Sequence, residues 1–183
     1  MLLKIVFSGF GGQGVLMMGY VLAVAGMNED KHVTFLPAYG AEVRGGTANC
    51  TVVVSDSEIA SPTAASPEYV VAMNYPSMIK YSNAVKSGGT MFLNSDLISE
   101  DPARSDLRIV KIPANSLARD MGNDRALNMV MLGAVNAVAG IVSQEALLGA
   151  IDTVLKGKKQ TLIDMNQKAL FEGAKFINTS SAA

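Results

Sequence analysis

The segment Gly9-Phe10-Gly11-Gly12-Gln13-Gly14 lies between an apolar run, Leu2 to Ser8, and a helix-length stretch, Gln13 to Met27, that is almost wholly apolar. That order, a buried strand, a glycine turn and then a helix, is the opening of a nucleotide-type α/β unit and narrows the fold class at once. Glycines let the chain turn tightly and let backbone approach a ligand. The helix that follows offers unpaired N–H groups and the positive end of its dipole. Three readings of the loop stand on motif grounds: a tight turn with no ligand, an anion or phosphate site, and an NAD site. The NAD reading is the weakest of the three. Its usual companion is an acid at the end of the second strand, whereas Glu29 and Asp30 precede that strand.

The remaining pattern alternates strands with helices. Strands are expected at His32 to Leu36, stopped by Pro37, and at Thr47 to Ser55, with an edge piece at Glu58 to Ala60. Further strands are expected at Tyr69 to Met73, Thr90 to Asn94 and Leu107 to Ile112, with a helix from Pro76 to Val85 between the first two of these. Helices follow at Asn115 to Met121, Ala126 to Val142, Gln144 to Leu155 and Leu162 to Phe176. This predicts an α/β, Rossmann-like three-layer domain with a mixed, mainly parallel sheet. One domain spans residues 1–177, and residues 178–183 read as a frayed tail.

A second loop, residues 37 to 46, is rich in chemistry: Pro37-Ala38-Tyr39-Gly40-Ala41-Glu42-Val43-Arg44-Gly45-Gly46. It is expected at the carboxyl edge of the sheet, beside the first glycine loop. Arg44 has the fork to hold a phosphate or carboxylate, Glu42 can orient it, and Tyr39 offers a ring and a hydroxyl. A local Glu42–Arg44 ion pair in a surface loop is the plainer alternative.

Composition excludes several classes. Net charge is -1, so no general affinity for nucleic acid is expected, and Lys156-Gly157-Lys158-Lys159 reads as a solvated turn. One cysteine, Cys50, rules out a disulfide framework or a cysteine-held iron–sulfur cluster built from this chain alone, and one histidine, His32, argues against zinc. Cys50 itself reads as a buried, inert thiol. No catalytic and no metal-binding residue is expected. The start lacks the features of a signal peptide and the apolar helices are too short to cross a bilayer, so the chain reads as soluble and cytoplasmic. Charged residues are only 17% of the chain, a shortage expected where partners cover part of the surface. Gly133, Ala137 and Gly140 form a smooth ridge on a nearly all-apolar helix, suited to close approach of another backbone.

Taken together, Gly9-Phe10-Gly11-Gly12-Gln13-Gly14, Tyr39-Gly40-Ala41-Glu42-Val43-Arg44-Gly45-Gly46 and Asn128-Met129-Val130-Met131-Leu132-Gly133 resemble the gamma subunit, or equivalent domain, of 2-oxoacid:ferredoxin oxidoreductases. The resemblance runs from the first strand to about Phe176. Ala41 departs from it, standing where the family usually has proline. The resemblance implies a subunit inactive alone, within a complex that turns a 2-oxoacid, coenzyme A and oxidised ferredoxin into an acyl-CoA, carbon dioxide and reduced ferredoxin. The 2-oxoacid expected is 2-oxoglutarate. Thiamine diphosphate, magnesium and iron–sulfur clusters would sit on a thiamine diphosphate-binding partner and a ferredoxin-like partner, and this chain would hold no cofactor of its own. Coenzyme A would be shared, with Gly11, Gly12, Gln13, Gly14, Tyr39, Glu42 and Arg44 lining its approach. The alternatives are a free-standing NAD-dependent oxidoreductase and a nucleotide- or phosphate-binding module.

Overall fold

In β1, Leu2–Phe10, the side chains divide strictly by parity: Leu3, Ile5 and Phe7 enter one apolar core, while Val6 enters another. A strand buried on both faces needs a layer on each side, and the rest of the chain supplies them. The computed structural model describes residues 1–39 and 47–180. Its sheet has six strands: β1, β2 (His32–Tyr39), β3 (Thr47–Ser55), β4 (Tyr69–Ala72), β5 (Thr90–Asn94) and β6 (Arg108–Ile112), in the order β2-β3-β1-β4-β5-β6. β1, β4, β5 and β6 are parallel, and β3 alone runs against its neighbours. The expected mixed, mainly parallel sheet is what the chain forms.

The larger core packs one sheet face under α1 (Val15–Asn28), α4 (Leu127–Ala139), α5 (Gln144–Val154) and α6 (Gln160–Ser180), with α3 (Ala114–Asp120) and a 3-10 turn at Asp124–Ala126 beside them. The other face is covered by α2 (Tyr75–Ser82) and the segments around Val85, Ile98 and Leu107. The layers therefore switch sides between β1 and β4: α1 leaves β1 on one face, and α2 leaves β4 on the other.

Several boundaries differ from the sequence expectation. β2 passes through Pro37 to Tyr39, because β2 is the sheet edge and a proline there gives up no necessary bond. Glu58 to Ala60 adds no strand: both sides of β3 are already taken, and Ser55 pairs with Leu2 at the start of β1. The final helix begins earlier than expected and continues to Ser180, and Leu162 points outward while Ile163 is buried.

α4 and α6 cross with their backbones touching. A Cβ on Gly133 would lie 2.0 Å from the Leu170 carbonyl oxygen, and one on Gly173 would lie 1.9 Å from that of Val130. The small ridge does receive another backbone, but from within the chain and at Gly133 only. Ala137 is exposed, and Gly140 ends α4 in the left-handed conformation, φ 58°.

Gly133→Ala and Gly173→Ala should each lower stability by about 1–3 kcal/mol, since neither carbonyl can move without parting the helices. Gly149→Ala in α5 is the contrast. Its Cβ would meet only Asn28 Nδ2, at 3.7 Å, so it should stabilise by about 0.5–1 kcal/mol. Denaturant midpoints of the purified variants decide both.

Candidate functional site

At the carboxyl edge of the sheet the ends of β2 and β3 lie beside the end of β1. β1 ends at Phe10, opposite Thr47, and Tyr39 pairs with Ala48, so the chain leaves β2 and re-enters β3 beside the glycine loop. Glu42 and Arg44 lie in residues 40–46, outside the described residues, and of Tyr39 the structure describes the end of β2.

The loop itself depends on backbone that only glycine adopts readily: Gly12 has φ +94° and Gly14 φ +70°. Gly11 and Gly12 are exposed. No side chain caps α1, whose N-cap is Gly14, and its first turn holds no acid. α2 and α5 differ, capped by Asn74 and Ser143 respectively. The start of α1 thus keeps free donors and its positive dipole end. A pocket of about 370 Å³ opens against it, walled by Phe10, Gly12, Gly14, Leu16, Met17 and Ala48. The arrangement is donors on one wall and apolar surface on the others, on the side of the loop that faces β3.

Gln13 takes a different part. Its Oε1 accepts from Phe10 N (2.7 Å) and from Asn74 Nδ2 (3.0 Å), and its Nε2 donates to Met73 O (3.1 Å). The side chain lies across the gap between the β1 and β4 turns, where a dinucleotide fold opens its crevice at the switch point. Sequence reasoning placed Gln13 in the site but gave no hint of Met73 or Asn74 as its partners. Asn74-Tyr75-Pro76 signals a helix start and nothing more.

The acids near the second strand belong elsewhere. Glu29 follows the last turn of α1, which has 14 residues and so is about 20 Å long, at the far edge of the sheet from the glycines. It accepts from Ser143 N at 2.6 Å and pairs with Lys31 at 2.8 Å, while Lys31 also donates to Ile141 O. Burial pushes the Glu29 carboxyl up. The hydrogen bonds from Lys31 and Ser143, with the Lys31 charge, outweigh it and hold the group at about 2. This acid ties the α1–β2 turn to the start of α5 and cannot meet a ribose at the loop.

Cys50 is fully buried beneath α1, where its Sγ approaches Val15 O at 3.6 Å, and burial pushes its thiol up to about 12. The expectation of an inert core thiol is met, and Gly19 owes its identity to it: a Cβ there would lie 2.4 Å from Sγ. Asn128, in the first turn of α4, is a site-proximal residue absent from the sequence-based site. Its Nδ2 reaches Gly14 O at 3.4 Å, and its signals in the sequence were polarity in an apolar helix and its place at the head of the Asn128-Met129-Val130-Met131-Leu132-Gly133 motif.

A family profile described as pyruvate ferredoxin/flavodoxin oxidoreductase matches residues 4–176. Ketoisovalerate oxidoreductase subunit VorA of Methanothermobacter marburgensis is 38% identical over 93% of this chain, and this chain spans 36% of that relative's length. 2-Oxoglutarate synthase subunit KorC of the same organism is 31% identical, across 94% of this chain and 98% of its own length. Among solved structures, the keto/oxoacid ferredoxin oxidoreductase gamma subunit from Geobacter sulfurreducens superposes with a TM-score of 0.82 at 30% identity, covering 97% of this chain and 99% of that one.

Two outcomes check this geometry. Gln13→Ala strands the Asn74 amide and the Met73 carbonyl and should cost about 1–3 kcal/mol in thermal unfolding. Glu29 has a folded value below its ordinary 4.5, so its contribution to stability is complete above pH 4.5 and is lost as pH falls towards about 2. Acid unfolding of Glu29→Gln should therefore show a shallower loss of stability across that window than the parent chain.

Proposed function

Since this chain belongs to the pyruvate ferredoxin/flavodoxin oxidoreductase family, we propose that it works as the gamma-type subunit of a cytoplasmic 2-oxoacid:ferredoxin oxidoreductase, inactive alone, and forms part of the coenzyme A side of that complex. The observation that carries the coenzyme A reading is the uncapped start of α1 facing an apolar-walled pocket of about 370 Å³. Coenzyme A joins anionic phosphates and amides to a thiol-bearing arm, and such a pocket offers N–H donors and apolar contact side by side. Gly11, Gly12 and Gly14 supply backbone to the ligand. Gln13 holds the loop in shape from behind, through Met73 and Asn74. Arg44, with Tyr39 and Glu42 near it in sequence, supplies the cation.

The chemistry belongs to the whole complex: the 2-oxoacid loses carbon dioxide, its acyl group passes to the coenzyme A thiol, and the electrons pass to ferredoxin. In this proposal thiamine diphosphate, magnesium and the iron–sulfur clusters lie on partner subunits. The one cysteine of this chain, buried under α1, does not fit cluster ligation. No helix among the described residues is long and apolar enough to cross a membrane.

We propose 2-oxoglutarate as the substrate, supported by the full-length match to a 2-oxoglutarate synthase subunit. A branched-chain 2-oxoacid is the second reading, favoured by the higher identity, 38%, to ketoisovalerate subunits. Neither NAD chemistry nor a free-standing enzyme gains support from the far placement of Glu29.

The test is purification of the tagged chain from its native host without oxygen, followed by assay of coenzyme A-dependent ferredoxin reduction with a panel of 2-oxoacids. Co-purified activity on 2-oxoglutarate is expected; activity confined to branched-chain acids selects the second reading, and a chain that emerges alone and binds NAD overturns both. In the active complex, Arg44→Ala should raise the KM for coenzyme A about tenfold to a hundredfold. An unchanged KM removes Arg44 from the site.

A further inference from the structure

We infer, resting on the coenzyme A reading above, that Asn74 is a positioning residue of the glycine-loop site: it fixes which way the Gln13 amide faces, and through that amide the turn whose backbone meets the ligand. The N-cap of α2, a helix on the far face of the sheet, then helps to set coenzyme A affinity on the α1 face.

The turn is tied twice at one residue. Gln13 N donates to Phe10 O at 3.2 Å, and Gln13 Oε1 accepts from Phe10 N at 2.7 Å. Residues 10–13 therefore close a four-residue turn through both backbone groups of Phe10, with Gly12 in its third position at φ +94°. Phe10, Gly11 and Gly12 wall the pocket; the Gln13 side chain holds them from outside it. Gly9 leaves the space for that side chain. A Cβ there would lie 2.6 Å from Gln13 Oε1, 2.8 Å from a Val15 methyl and 2.9 Å from Met73 Cβ.

The direction of each amide is fixed from both ends. The Ser77 N–H, in the first turn of α2, donates to Asn74 Oδ1 at 3.0 Å, which leaves Nδ2 to donate to Gln13 Oε1, also at 3.0 Å. At the other end, the Phe10 N–H needs an acceptor and the Met73 carbonyl a donor, and Gln13 supplies each with the matching atom. Turning either amide over would set donor against donor and acceptor against acceptor. Asn74 is 3% exposed, and next to it Ser8 Oγ donates to the buried Ser77 Oγ at 3.0 Å. Little water reaches this end to relieve a mismatch.

Asparagine, aspartate and serine cap helices about equally well. Towards Gln13 they differ. Asparagine offers an N–H, aspartate sets a negative oxygen against Oε1, and serine is too short to cap α2 and supply the second donor together.

The experiment uses the intact complex purified with its partner subunits and reads the KM for coenzyme A and the KM for the 2-oxoacid. Asn74→Asp should raise the coenzyme A KM about tenfold and Asn74→Ser about threefold, with the 2-oxoacid KM unmoved. Were Asn74 only a helix cap, both variants would keep the parental value, and that result overturns the inference. A 2-oxoacid KM that rises in step marks a general disturbance and overturns it as well. Gln13→Ala should raise the coenzyme A KM too, and adding Asn74→Asp to it should raise it no further. Full additivity means that Asn74 acts otherwise than through Gln13 and overturns the inference, as does a parental KM in Gln13→Ala. If Asn74→Asp does not assemble, Asn74→Ser takes its place in the cycle.

Gly12→Asp and Gly12→Asn separate this inference from the reading beneath it. Both strain the loop alike, where an added Cβ meets nothing within 4 Å, but only the aspartate sets a negative charge beside the donors. A coenzyme A KM raised more by Gly12→Asp than by Gly12→Asn, with Asn74→Asp at the parental value, overturns the role of Asn74 and leaves the glycine-loop site standing. Equal values for the two Gly12 variants overturn both.

Discussion

The Gln13 amide holds together the two halves of the sheet's functional edge. By accepting from Phe10 N and Asn74 Nδ2 and donating to Met73 O, it fastens the turn after β1 to the turn after β4. These are the turns between which the covering helices change face. In a dinucleotide-binding sheet that gap is the ligand crevice; here a side chain fills it. The start of α1 remains polarised and uncapped, but its open side is directed to β3. One amide thus both stabilises the loop and decides from which direction a ligand can meet it.

Much of this was legible from residue order. The strand–glycine–helix opening and the alternation of apolar strands with helices follow from local pattern, because buried strands and helices carry their period with them; a mixed sheet was expected, but that β3 is the reversed strand is a tertiary fact. That β2 ends and β3 begins beside the end of β1 was legible too, since parallel strands end at one edge of the sheet. What escaped was of two kinds. Pro37 reads as a stop only while its strand is not known to be an edge strand, and edge position is a tertiary fact. Gln13 is joined to Asn74 across 61 residues and Gly14 to Asn128 across 114, separations that no local period encodes. Glu29 shows the complementary error that spacing invites: the distance along the chain suits a ribose acid, yet the helix between carries it to the opposite edge.

The glycines divide by the same logic. Gly12 and Gly14 are required by their backbone angles, Gly133 and Gly173 by the carbonyl of the facing helix, and Gly19 by the sulfur of Cys50. Residue type alone does not separate these roles. A ridge of small residues on an apolar helix announces a close neighbour without naming it, and for α4 the neighbour proved to be α6.

That outcome shifts the meaning of the low charge to α1. Its sequence from Val15 to Asn28 has no ionised side chain, and one face of it packs on the sheet and on α5. On the other, Met17, Tyr20 and Met27 stay 36%, 48% and 63% exposed, at spacings that place them on one side of the helix. Met17 belongs to this stripe and also walls the pocket at the glycine loop. Anything that covered the stripe would therefore also exclude water from the pocket and strengthen the pull of the loop's N–H groups on a ligand there, since donors act more strongly as the dielectric falls. In a gamma-type subunit as proposed, assembly and ligand binding would then share a side chain, which gives a physical reason for a weak site in the separated chain to become an effective one in the complex.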